Sequence, residues 1–241
     1  MTLEAKRIVV IGGTSGIGFA VAKSALAEGA EVVVASSQAA NVEAAVGRLG
    51  KGASGQTIDV KDEANVAACF ERIGALDHLA FTAGDWGGRG ARPLAETEFD
   101  RAEALFSVRF WGALAAIKHA TPRMPPTGSV TLTNGMIAHR PRKGTPVSTA
   151  MAGAIEHLTE GLAVDLAPIR VNVVCPGLIR TDVWNSIPEE GRAAQFAQMT
   201  ARQPIARIGE PEEAAEAYLY LMRAGYTTGQ ILLVNGGSSL V

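Results

Sequence analysis

Apolar runs and amphipathic stretches alternate along the whole chain. Residues 7–11 (RIVVI), 31–35 (EVVVA), 77–82 (DHLAFT), 129–133 (SVTLT), 170–174 (RVNVV) and 230–234 (QILLV) are short and nearly continuous in apolar character. Such runs suit strands buried on both faces of a parallel sheet. A weaker run at 56–60 supplies a third strand in chain order, for seven in all. Helical spacing predicts helices over 16–28, stopping at Gly29, and over 41–49, 63–73 and 147–166. A long helical region runs from 96 to 124, bent near Ser107 and ended by Pro125 and Pro126. Between the last two strands, residues 178–209 are too long for a plain connector and carry a helical pattern at 189–202. An excursion of that length after a strand's carboxyl end is a candidate lid over a ligand. Repeated β-α units demand right-handed crossovers, so the pattern implies an α/β fold with a doubly wound, seven-stranded parallel sheet. With no linker and no repeat, residues 1–241 read as one domain.

Composition narrows the function classes. Apolar residues make up 47% of the chain but aromatics only 5%, so aliphatic side chains must form the core. A formal net charge of −2 offers no basic footprint for nucleic acid, which is excluded as a partner. Cys69 and Cys175 stand in no paired or metal-like spacing and read as buried free thiols of a reducing compartment. The N-terminus runs straight into a strand without a signal-peptide pattern, and no apolar run reaches the roughly 18 residues of a membrane span. A cytoplasmic protein with no membrane partner is expected, either a soluble enzyme or a soluble binding module.

Chemistry first shows at residues 11–18, IGGTSGIG, between the first strand and the first helix. Gly12, Gly16 and Gly18 permit a tight turn and close approach of the backbone to a pyrophosphate. Thr14, Ser15 and Ile17 complete the loop, and the free N–H groups and positive end of the helix face the phosphates. Following a strand and opening a helix is the context that separates such a motif from a merely structural glycine turn.

At this spacing the sequence resembles the short-chain dehydrogenase/reductase family, with a Rossmann-type fold, and the resemblance covers nearly the whole chain. Asp59-Val60 resembles the pair that contacts adenine. Thr82-Ala83-Gly84 stands where the family usually has Asn-Ala-Gly. The segment 175–181 (CPGLIRT) resembles the Pro-Gly stretch under the nicotinamide, which implies roles for Pro176, Gly177 and Ile179 and a carboxamide contact for Thr181. Residues 234–237 (VNGG) resemble the usual Asp-Gly-Gly ending. The resemblance further implies a homodimer or homotetramer.

The end of the second strand reads Ala35-Ser36-Ser37-Gln38, with no carboxylate to bind a ribose 2′-hydroxyl. Ser36 and Ser37 can donate to a 2′-phosphate, which favours NADP over NAD; the alternative is that these residues cap the following helix. Family members reduce carbonyls with a Ser, a Tyr-x-x-x-Lys pair and an Asn. Here alignment puts Gly135 at the Ser, Ser148 at the Tyr, Ala152 at the Lys and Arg109 at the Asn. Tyr218, Tyr220 and Tyr226, the only tyrosines, all lie near the C-terminus. The remaining candidates are His139 as a general acid, Arg109 as a carboxylate or carbonyl contact, and Ser148 holding a substrate or a relaying water. His139 and the basic loop of Arg140, Arg142 and Lys143 could equally be solvated surface. His157, nine residues beyond Ser148, should face away from the site. Two functions remain open: an NADP-dependent oxidoreductase acting on a small carbonyl, enone or imine with altered proton delivery, or a catalytically silent NADP-binding sensor or partner subunit.

Overall fold

A computed structural model describes residues 2–84 and 93–241. Seven parallel strands lie in the order β3-β2-β1-β4-β5-β6-β7, namely β1 (Arg7–Ile11), β2 (Glu31–Ser36), β3 (Ala53–Thr57), β4 (His78–Phe81), β5 (Ser129–Thr133), β6 (Arg170–Pro176) and β7 (Ile231–Val234). The chain winds outward through β1, β2 and β3, then returns to place β4 on the other side of β1. Ile11, at the end of β1, therefore pairs with Ala35 of β2 and with Phe81 of β4. That reversal opens a crevice at the carboxyl ends of β1 and β4, the place where open α/β sheets bind ligands.

The period-two alternation of strand side chains splits the core into two layers. Val9, Ile11, Val33, Ala35 and Phe81 face one layer, with α3 (Glu63–Ile73), α5 (Ala113–Ala120) and α6 (Pro146–Asp165). Ile8, Val10, Val32, Val34 and Ala80 face the other, with α1 (Gly16–Ala27) and α8 (Pro211–Arg223). Each fully buried Val or Ile contributes about 1.5–3 kcal/mol, so these central strands hold the scaffold of the crevice. The helices α2 (Ala39–Leu49), α4 (Phe99–Phe106) and α7 (Glu189–Thr200) complete the fold.

Most elements match the pattern, and the differences have physical causes. The third strand lies at 53–57 rather than 56–60. Ile58 and Val60 are buried not as strand residues but as anchors of the loop that follows it. The expected bend near Ser107 is a wide π turn over Ser107–Gly112, whose last residue packs on Val60. Helix α7 is kinked at Glu190 and Gly191. Helix α8, which the sequence-based expectations lack, occupies much of residues 210–229. Pro211 in its first turn and the reciprocal Glu210–Glu213 capping box are its start signals. Both cysteines are free and buried. Among the described residues no helix is long and apolar enough to cross a membrane.

Candidate functional site

The turn after β1 has no room for a side chain at Gly12 or Gly18. Gly12 has φ +85°, and a Cβ there would lie 2.5 Å from Ala83 N; a Cβ on Gly18 would lie 2.3 Å from both Gly12 O and Thr82 Oγ1. Thr82 donates its hydroxyl to Ile11 O at 3.0 Å, tying the end of β4 to the turn. Helix α1 begins at Ser15 without a side-chain cap and with no acid in its first turn, which leaves its positive end open to an anion. A groove of about 730 Å³ starts here and crosses the ends of β1, β2, β4 and β5, with Gly12, Thr14, Ser15, Gly16, Ile17 and Gly18 along it.

One end of the groove is lined by Ser36, Ser37, Gln38 and Asn41. No side chain caps α2 at Gln38, so the capping role open to these residues is not the one they play. Asn41, which carries no motif, adds a further polar group. Asp59 and Val60 form the adjoining wall beside Lys61; Asp59 is steadied by hydrogen bonds with Lys61 N (3.0 Å) and Asn65 Oδ1 (2.9 Å). Ala83 and Gly84 line the middle, and Thr181 closes the other end against Gly16, where a Cβ would come within 3.1 Å of Thr181 Cγ2. A backbone cradle for phosphates, apolar walls and hydroxyl donors at both ends form a donor set that fits a dinucleotide.

Ile17, Thr181 and Val183 also line a second cavity of about 280 Å³. Its walls include Pro176, Gly177, Leu178 and Ile179 from the end of β6, the turn Asn134-Gly135-Met136-Ile137 after β5, and Trp184 of the expected lid. The segment 178–209 is pinned at its base, where Ile179 bridges Gly209. Trp184 donates to Ile179 O at 2.7 Å and meets Phe196 edge to face, which holds the indole over the cavity. Close packing of Gly177 on Asn235 joins the C-terminal segment to the same wall.

The three residues expected to act on substrate are not brought together. Arg109 is 3% exposed and lines neither cavity; its guanidinium packs on Gly84, where a Cβ would lie 2.4 Å from Cζ. Its side chain thus backs Gly84 on the groove wall and reaches neither cavity. His139 also lines neither cavity. Its Nε2 lies 2.8 Å from Glu156 Oε1, and the same oxygen accepts from Asn134 Nδ2 at 2.9 Å. Local sequence carried no sign of this, because Glu156 sits seventeen residues away on the inner face of α6. Ser148 is half-buried in the first turn of α6 and lines neither cavity among the described residues. His157 is exposed on α6, as its spacing implies.

Tyr218 provides no substitute for the missing tyrosine. It is fully buried on α8, with its hydroxyl 2.6 Å from Thr133 Oγ1, and burial holds its pKa well above the usual value. Cys175, behind the second cavity, has its thiol pushed up to about 12, first by burial and then by the charge of Glu156. It is no nucleophile at neutral pH.

A family model described as enoyl-(acyl carrier protein) reductase matches residues 12–239. The chain is 34% identical to the short-chain dehydrogenase/reductase ATR9 of Stachybotrys chlorohalonatus, covering 99% of each. Among solved structures it resembles the MalC reductase/Diels-Alderase of Malbranchea aurantiaca, with TM-score 0.92 and 32% identity over 99% of this chain and 98% of that one. It also resembles an NADPH-bound short-chain oxidoreductase of Pseudomonas aeruginosa described as containing an atypical catalytic center, with TM-score 0.89 and 27% identity over 98% of each chain.

Proposed function

This chain belongs to the short-chain dehydrogenase/reductase family and is an oxidoreductase, and on that premise we propose that it is an NADP-dependent reductase with a non-standard active site. The observation that carries the reading is the junction at Thr181, where a groove suited to a dinucleotide opens into an apolar cavity under a pinned lid. NADP is favoured over NAD because the end of β2 presents Ser36, Ser37, Gln38 and Asn41 and no carboxylate. A relative with an NADPH-bound structure supports the same choice.

Bound in the groove, NADPH supplies the hydride. The protein's part is to hold and orient both partners, exclude water and stabilise developing charge. The glycine turn and the first turn of α1 would hold the phosphates of NADPH, and Thr181 its carboxamide. Pro176 and Gly177, on the wall of the adjoining cavity, would support the nicotinamide end of the cofactor. Among the described residues, no group along the second cavity matches an activated tyrosine. The residues present therefore suit a substrate in which added charge is spread over a conjugated system, so that water can protonate the product afterwards. Arg140 and Arg142 line this cavity and no acid does, among the described residues. Guanidinium groups attract an anionic or electron-rich ligand and repel a cation. A polarised enone or other conjugated carbonyl therefore fits better than an iminium ion. The enoyl reduction named in the family model's description is chemistry of this kind.

Arg109 holds Gly84 in place as a positioning residue, and His139 with Glu156 holds Asn134. Exposed apolar side chains at Phe99, Trp111 and Val164 favour a homodimer or homotetramer, which light scattering would test.

The function is tested by titrating NADP(H) and NAD(H), then following NADPH oxidation across matched carbonyls, enones and imines. Tighter binding of NADP(H) and turnover of enones or carbonyls are expected. Binding of neither dinucleotide would refute the reading; tight binding with no turnover in any class would return the chain to a sensor or partner role.

A further inference from the structure

Charge is unevenly placed around the second cavity. The chain has 24 acidic and 22 basic residues, yet the lining includes Arg140 and Arg142 and, among the described residues, neither Asp nor Glu. The nearest acid on the adjoining helix, Glu156, is engaged with His139 and Asn134. Neither guanidinium has an acidic partner or a side-chain hydrogen bond among the described residues.

The loop that carries them is held by its backbone. Arg140 N donates to Met136 O at 2.7 Å, and Thr145 Oγ1 both donates to Arg142 O at 2.7 Å and accepts from Arg142 N at 3.2 Å. Two planar cationic groups are thus presented from a fixed turn beside an apolar wall of Met136, Leu178, Val183 and Trp184. A guanidinium matches a carboxylate in shape as well as charge, because two N–H groups meet two oxygens. A volume of about 280 Å³ is at the small end for a small-molecule site.

We propose that the substrate is a small apolar acid, its hydrocarbon body lying on Met136, Leu178, Val183 and Trp184 and its carboxylate held by Arg140 and Arg142. The proposal rests on reading this cavity as the substrate site of the reductase. A carboxylate anchored at the arginines fixes which end of the molecule reaches the junction at Thr181, so the same contact supplies affinity and orientation.

The test needs no turnover. Calorimetric titration of the NADP⁺-loaded protein with trans-cinnamate and with its neutral isostere trans-cinnamamide compares an apolar acid and amide of the same shape. The acid should bind roughly tenfold or more tightly than the amide, and added salt should narrow the gap. In the exposed-residue double variant R140Q/R142Q the acid should fall to the affinity of the amide, while amide binding stays unchanged and reports an intact cavity. Equal affinities in the unaltered protein would overturn the proposal, and so would acid binding that survives the double substitution. Binding of neither compound by a protein that holds NADP⁺ would also overturn it while leaving the reductase reading in place. Failure to hold NADP⁺ would instead sink that reading.

Discussion

Replacing Gly12 by alanine puts a methyl group where the structure has no room for one. The residue is held from both sides, since its N–H donates to Ala35 O at 2.8 Å and its Cα faces Ala83 N and Thr82. Two costs add. An L-residue in the left-handed region at φ +85° costs about 1–2 kcal/mol. Overpacking, with a Cβ 2.5 Å from a backbone nitrogen that belongs to a strand end, costs about 1–3 kcal/mol. The sum is about 2–5 kcal/mol, or a fall of roughly 4–20 °C in melting temperature for a domain of this size. Whatever part the backbone relieves by moving opens the phosphate cradle, so dinucleotide affinity should fall as well. Gly47 is the control. It lies within α2, a Cβ added there would meet no atom within 4 Å, and its φ is not positive. Gly47→Ala should therefore stabilise by about 0.5–1 kcal/mol, since glycine weakens a helix interior relative to alanine. Differential scanning fluorimetry with and without NADP⁺ measures both effects. A Gly12→Ala protein with unchanged melting temperature and unchanged NADP⁺ response would refute the close approach on which the site is built.

Three further outcomes are expected. Ser37→Asp puts a carboxylate in the end of the groove assigned to the 2′-phosphate and should lower NADP⁺ affinity about tenfold or more relative to NAD⁺; a ratio that does not move in competitive titration would place the phosphate elsewhere. Glu213 is held near pKa 2 by hydrogen bonds from Arg207 and from Glu210 N, below the 4.5 of an ordinary glutamate. Its folded value is the lower one, so its stabilisation is complete above about 4.5 and is lost as pH falls toward 2. The stability difference between the unaltered protein and Glu213→Gln should shrink across that window, and a gap independent of pH would contradict the assignment. Burial raises the pKa of both thiols, Cys175 to about 12 and Cys69 by a smaller margin opposed by Arg72. A thiol reagent at neutral pH should therefore label neither cysteine in the native protein and both after denaturation; rapid native labelling would show that one is accessible.

Where the outcome depended on neighbours in sequence, residue patterns were enough. Continuous burial along β1, β2 and β4, with successive side chains sent to opposite core layers, follows from the side-chain period of a strand, and these runs had to be apolar on both sides to sit at the centre of a parallel sheet. The glycine turn is equally local, because its steric demand arises within a few residues and the helix that follows supplies the field. Edge strand β3 was less legible. Pairing with β2 on one side alone leaves Ala53–Thr57 free to be polar, while the apolar signal three residues on belongs to a loop anchor. Helix α8 is amphipathic, with Glu212, Glu213, Glu216 and Tyr220 exposed and Ala215, Tyr218, Leu219 and Met222 buried on the side of α1, so its signal too was present in the local pattern.

The sequence by itself thus determined the layered fold, the phosphate turn and the absence of any tyrosine before Tyr218. Tertiary structure alone decided what Arg109, His139 and Glu156 do. A side chain's partner depends on how helices rotate against the sheet, and that rotation is set by packing summed over the whole core. It turned Arg109 onto Gly84 and His139 onto Glu156, and it left Arg140 and Arg142 facing a cavity that no linear spacing describes.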